Sequence, residues 1–146
     1  MSSTSTPADA FIVTDVGWNK NGVGQQFPIN VPGTFITPSG LATMGFGPAA
    51  ALGVKVAEPG RVAIALVGDG GFSANPSVVA TAMEAGLHVI WLVMDNSAFG
   101  TIAGLEQMHY GTEFGCLFEC EGQPYQVDYA AMARSFGADG IFVKAA

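Results

Sequence analysis

Val62 to Gly100 reads VAIALVGDGGFSANPSVVATAMEAGLHVIWLVMDNSAFG, and this stretch decides the fold. Val62 to Val67 is a short run of branched apolar residues, the pattern of a buried parallel strand, and it runs straight into Gly68-Asp69-Gly70-Gly71. Pro76 to Ala85 reads as a helix capped by Asn75 with proline at its first position, and His88 to Met94 is a second apolar strand ending in Asp95-Asn96. In a right-handed β-turn-α-β unit both strands end on the same edge of the sheet. Asp69 and Asn96, 27 positions apart (96 − 69), are therefore expected to meet there.

One carboxylate and one amide oxygen suit a hard cation such as Mg²⁺, which keeps few protein ligands and leaves its other positions to phosphate and water. Gly70 and Gly71 carry no side chain, so their N–H groups can come close to a phosphate. A dinucleotide fold also places glycines between strand and helix, but the third glycine is replaced by Ser73, and Asp69 would repel a bare pyrophosphate. A purely structural role for Asp69, capping the turn, stays open beside the metal reading.

The pairing of Gly68-Asp69-Gly70 with Asp95-Asn96-Ser97-Ala98-Phe99-Gly100 resembles the signature of thiamine diphosphate enzymes, with Asp for the usual first Asn and Phe for the usual Tyr. Pro38 to Gly53 and Gly104 to Gly111 are similar to the acetolactate synthase branch, and the resemblance covers nearly all of Phe11 to Val143. It implies an α/β fold, a three-layer doubly wound parallel sheet with helices on both faces, over residues 11–146; ahead of it MSSTSTPADA, with neither a basic nor an apolar region, reads as a disordered segment 1–10 and no secretory signal. It also implies thiamine diphosphate and Mg²⁺ as cofactors. Asp69, Asn96 and the Ala98 carbonyl would hold the metal, and Gly68, Gly70 and Gly71 the diphosphate. Met44 would wedge under the cofactor, with the Ala42 carbonyl and the Met44 N–H on the pyrimidine edge. The branch has a Gln-His pair near the diphosphate where this chain has Trp18-Asn19; Asn19 keeps one hydrogen-bonding group there, and a plain loop role is the alternative.

The implied activity is that of a 2-oxo acid decarboxylase or carboligase of acetolactate synthase type. The alternatives are a relative such as a sulfoacetaldehyde acetyltransferase, or a non-catalytic cofactor-binding subunit. In the related enzymes a glutamate on a separate pyrimidine-binding domain activates the cofactor, and no glutamate of this chain stands in that motif context. The chain thus reads as a fragment or one subunit of a larger, oligomeric enzyme, inactive without that partner.

The 146 residues make room for one domain burying roughly 70% of its unfolded surface. A net charge of −7 without a basic run argues against nucleic-acid and anionic-membrane partners and leaves any diphosphate to be neutralised locally. Cys116 and Cys120 have no companions at zinc spacing and read as free thiols of a cytoplasmic protein. No stretch is long and apolar enough to span a bilayer.

Outside the central unit, Phe11 to Val16 is expected to form a first strand and Gly17 to Phe35 a long loop. A helix is expected over Ser39 to Ala57, broken in its first half, with further helices over Thr101 to Tyr110 and Tyr129 to Phe136, the latter stopped by Gly137. Gly111 to Pro124 reads as a loop and Asp139 to Val143 as a last strand. His109 titrates near neutrality and is a candidate substrate-facing acid or base, although a structural role is commoner for a lone histidine.

Overall fold

The computed structural model describes residues 6–144. Four parallel strands, β1 (Phe11–Thr14), β2 (Phe35–Ile36), β3 (Ala63–Gly68) and β4 (Ile90–Met94), form one sheet in the order β2-β1-β3-β4. Cα partners run Val13↔Ala65 and Ala65↔Trp91 across the centre, and Val67↔Val93 one step nearer the carboxyl edge. Because the side-chain period of a strand is two, each such row lies on one face.

Val13, Ala63, Ala65 and Val67 are buried on the face that carries the core. Packed on them are Ala51 and Val54 of α2 (Phe46–Ala57), Phe72 of α3 (Asp69–Ser73), and Val78 and Val79 of α4 (Val78–Ala85). The small residues of β3 and α2 let strand and helix approach closely. From β4, Trp91 and Val93 pack against the same core, and Trp91 donates from Nε1 to the Pro48 carbonyl at 3.2 Å. The opposite face carries α1 (Trp18–Gln26) against β1 and β3, and Ile90, Leu92 and Met94 of β4 stay 49%, 46% and 57% exposed there.

This is the expected α/β arrangement with helices on both faces. The chain leaves β1 toward β2 and crosses back to β3 on the other side of β1, so the connections diverge between β1 and β3. Open α/β sheets bind ligands at such a switch point, outside the carboxyl ends of the strands.

Several local expectations need correction. Trp18–Gln26 is a helix where a loop was expected. Its two glycines and single buried residue, Val23, leave no apolar stripe to read, and contact with β1 and β3 supplies what propensity does not. Helix α2 starts at Phe46, since Gly45 at φ 86° sits in the left-handed region and halts the helix before the Ser39–Met44 segment. Helix α4 starts at Val78 with Ser77 as its N-cap residue. Asn75 does not cap it, because its Oδ1 accepts from Ser77 Oγ at 3.0 Å.

The 111–124 stretch folds back as a two-residue hairpin, β5 (Glu119–Cys120) with β6 (Gln123–Pro124), and Leu117 bridges to Ala98. Helix α6 (Tyr129–Ser135) ends as expected, with Gly137 at φ 88°. Residues 139–143 are not a strand: no neighbouring strand pairs with them among the described residues, and Ile141, Phe142 and Val143 are 74–85% exposed. At the other end, residues 1–5 lie outside the described residues. Residues 6–10 include a turn, with Arg61 donating to the Asp9 carbonyl and lying over the Phe11 ring at 4.1 Å.

Candidate functional site

A cleft of about 930 Å³ opens at the carboxyl edge over the β1/β3 switch point. Asn19, Ala42, Met44, Gly68, Asp69, Gly70, Gly71, Asn96 and Ala98 all line it, so residues chosen from four separated stretches converge on one cavity. His109 does not line it. It lies on the exposed last turn of α5 (Gly100–Tyr110), its ring 6.3 Å from that of Tyr110, and the case for it as a substrate-facing acid or base has no geometric support.

Asp69 is 2% exposed at the exit of β3. Its Oδ1 accepts from its neighbour Gly70 N at 2.8 Å, and its Oδ2 accepts from Asn96 N at 3.3 Å, so the ends of β3 and β4 are tied through this one carboxylate. Burial pushes the Asp69 carboxyl above the ordinary aspartate range; the Gly70 N–H opposes that shift, and the Asp95 carboxylate alongside adds to it. Two carboxylates beside one another in a partly dry cleft form an environment that a cation would relieve. Among the described residues no group of three or more His, Cys, Asp and Glu stands ready for a metal. Three lining residues, Asp69, Asn96 and Ala98, could instead offer a carboxylate, an amide oxygen and a carbonyl, all hard oxygens.

The backbone around these donors is unusual. Ser97, between Asn96 and Ala98, has φ 53°, and Ala42 has φ 47°. Left-handed backbone at a residue other than glycine costs energy and clusters at functional sites. The loop is held by Asp95 Oδ1, which accepts from Ser97 N at 3.1 Å, and by Phe118 N donating to the Ser97 carbonyl at 2.7 Å. A Cβ at Gly100 would stand 2.6 Å from Asn96 Nδ2, which gives a steric reason for glycine four places after this asparagine.

At Gly70 and Gly71 the close neighbours are protein groups. A Cβ at Gly70 would meet the Phe99 ring at 2.8 Å, and one at Gly71 would come within 3.0 to 3.2 Å of the Asp15 carboxylate. The Gly70 N–H already serves Asp69. Packing therefore demands these glycines independently of any phosphate.

Asp15 escaped the sequence reading. It is fully buried at the exit of β1, where its Oδ2 accepts from Gly45 N at 3.0 Å and Gly47 N at 2.9 Å, and its Oδ1 from Val16 N at 2.7 Å and Gly45 N at 3.2 Å. One carboxylate thus fixes the turn that follows Met44 against the glycines after β3. The available signal was the one used for Asp69, an aspartate directly after an apolar strand, here Phe11-Ile12-Val13-Thr14. Tyr129 was missed as well. Its hydroxyl donates to the Asp69 carbonyl at 3.2 Å and lies 2.8 Å from Ser73 Oγ, while its ring packs edge-on against Phe72. Burial first, and then the Asp69 and Asp95 charges, hold its hydroxyl above the usual tyrosine range against the Ser73 hydrogen bond.

Residues 15–146 match the family described as thiamine pyrophosphate enzyme, C-terminal TPP binding domain. The probable acetolactate synthase large subunit of Methanococcus aeolicus is 34% identical over 129 residues, 88% of this chain and 21% of that protein. Acetolactate synthase isozyme 1 large subunit of Escherichia coli is 34% identical over 90% of this chain and 23% of its own length. The 3D-(3,5/4)-trihydroxycyclohexane-1,2-dione hydrolase of Bacillus velezensis is 33% identical over 90% of this chain and 21% of its own length. The solved structure of the thiamine diphosphate-dependent 4-hydroxybenzoylformate decarboxylase of Rhodococcus jostii shares the fold, with a TM-score of 0.80 at 23% identity over 92% of this chain and 24% of that one. The chain spans between a fifth and a quarter of the length of these relatives.

Proposed function

The chain belongs to the thiamine pyrophosphate enzymes, as their C-terminal TPP binding domain, and from that premise we propose that it binds thiamine diphosphate with Mg²⁺ within a 2-oxo acid decarboxylase or carboligase of acetolactate synthase type. The observation that carries this reading is the convergence of Asp69, Asn96 and Ala98 on the cleft at the switch point. These hard oxygens suit Mg²⁺, and a cation beside Asp69 and Asp95 would favour the ionised carboxyl that burial and the Asp95 charge disfavour. When bound, thiamine diphosphate supplies the carbon that takes up the 2-oxo acid and stabilises the charge left by departing carbon dioxide.

The chain's own residues bind and orient. Asp69, Asn96 and the Ala98 carbonyl would hold the metal; the backbone at Gly68, Gly70 and Gly71 would hold the diphosphate; Met44, 43% exposed on the cleft wall, would shape the ring site, with the Ala42 carbonyl and the Met44 N–H for the pyrimidine edge. Asn19 adds a hydrogen-bonding group above Gly68, its Nδ2 3.8 Å from where a Cβ would stand there. Asp15 keeps the Met44 turn in register with the glycines. The activating glutamate comes from a pyrimidine-binding domain or subunit, so activity requires that partner within an oligomer. Acetolactate synthase relatives favour a 2-oxo acid substrate. The unpaired Cys116 and Cys120 suit a reducing cytoplasm.

Calorimetric titration of the chain with thiamine diphosphate, with Mg²⁺ and then with chelator, tests the reading. Heat of binding that needs Mg²⁺ and disappears in Asp69→Ala is expected. Binding that ignores chelator, or survives Asp69→Ala unchanged, would refute the metal assignment.

A further inference from the structure

Lys20 stands in the first turn of α1, half-buried, with its side chain on the wall of the cleft. It is the cleft's one cationic side chain among the described residues, against three carboxylates, Asp15, Asp69 and Asp95. The other cations are placed elsewhere. Lys55 Nζ donates to the Arg61 carbonyl at 2.6 Å, Arg61 is bound to Asp9, Arg134 donates to the Gly140 carbonyl at 2.7 Å, and Lys144 lies exposed outside the cleft. The Lys20 ammonium makes no hydrogen bond or ion pair among the described residues, although its backbone N–H is held by Asn19 Oδ1 at 2.6 Å.

Lys20 is half-buried in a cleft that Met44, Leu66 and Ile102 also line, and an ammonium withdrawn from water there would lose hydration without gaining a counter-charge. The nearby acids do not supply one. Asp15 spends its oxygens on the N–H groups of Val16, Gly45 and Gly47, and Asp69 on those of Gly70 and Asn96. In a chain of net charge −7, a diphosphate brings more negative charge than one divalent cation removes, and a 2-oxo acid brings its own carboxylate. We propose that Lys20 is the anion-recognition residue of this cleft, its ammonium pairing with an oxyanion of the bound ligands, either a diphosphate oxygen or the acid's carboxylate. The assignment rests on the reading that the cleft takes a metal–diphosphate.

The test is titration of the chain and of its Lys20→Met and Lys20→Arg variants with magnesium pyrophosphate, with magnesium thiamine diphosphate, and with pyruvate after the cofactor. Lys20→Met should weaken binding of at least one probe by about tenfold, the usual scale of a charge-assisted contact, and flatten its salt dependence. Lys20→Arg, which keeps the charge, should retain most of the affinity. A loss on both diphosphate probes assigns the cofactor as the source of the oxyanion, and a loss confined to pyruvate assigns the substrate. Equal affinities of the chain and Lys20→Met for all three probes would overturn the proposal. The cofactor reading fails separately: Lys20-dependent pyrophosphate binding with no preference for thiamine diphosphate would sink it and leave Lys20 standing. Chelator-sensitive cofactor binding with the affinities for all three probes unchanged in Lys20→Met would do the reverse.

Discussion

Replacing Asp15 by asparagine changes neither volume nor shape, so its effect isolates the hydrogen bonds of a buried carboxylate. In the native chain Oδ2 accepts from Gly45 and Gly47, and Oδ1 accepts from Val16 and, more weakly, from Gly45. An amide has one acceptor oxygen. Turned toward Gly45 and Gly47, it leaves its NH₂ against the Val16 N–H; turned the other way, it leaves two N–H groups facing NH₂. The first orientation is cheaper. It turns one charge-assisted bond, worth about 1.5–3 kcal/mol, into a stranded donor and weakens two others, so a loss of about 2–4 kcal/mol follows. Against a total stability of about 5–15 kcal/mol this is a large share. Urea denaturation should show it as a midpoint lowered by about 1–2 M at unchanged slope. The same variant should bind Mg²⁺–thiamine diphosphate more weakly, because the Met44 turn loses its anchor. A midpoint shift under about 0.3 M would mean that the carboxylate does not hold the turn.

Gly100→Ala should leave thermal stability nearly unchanged, since alanine's better helix propensity, about 1 kcal/mol, offsets crowding against a side chain that can swing away; yet displacing the Asn96 amide, now 2.6 Å from the new Cβ position, should weaken Mg²⁺-dependent binding about tenfold or more in a titration. Metal binding requires ionised Asp69, whose carboxyl is raised by burial and by Asp95. Affinity should therefore fall on acidification at a higher pH than an ordinary aspartate would give, and Asp95→Asn should move that midpoint downward; a midpoint that moves upward in Asp95→Asn would contradict the coupling. Tyr129→Phe removes the hydroxyl that reaches the Asp69 carbonyl and Ser73 while keeping the ring on Phe72, and should cost about 1 kcal/mol in chemical denaturation.

The parallel sheet and the edge that carries the site were legible because apolar runs ending in Gly68-Asp69 and Asp95-Asn96 encode both the strands and their exits. That Asn19, Ala42 and Met44 would share the cleft was legible only through the family resemblance. What escaped depends on long-range contact. Helix α1 has no periodic stripe, and its helicity comes from docking on β1 and β3. Asp15 meets Gly45 and Gly47 some thirty positions away, a pairing that exists only after β1 and α2 are in place. Residues 139–143 show the converse, a local pattern of strand type without a neighbouring strand to pair with among the described residues.

The uncovered side of β4 has a colloidal consequence. Ile90, Leu92 and Met94 form an apolar ladder beside a strand edge that is unpaired among the described residues, the combination that templates association between copies. Seven net negative charges hold copies apart at low ionic strength. At physiological salt that repulsion reaches only about 8 Å. Concentrated solutions of this chain should scatter more light as salt is added, and Leu92→Lys, on the open face, should suppress the turbidity while leaving the buried row Val13–Ala65–Trp91 intact.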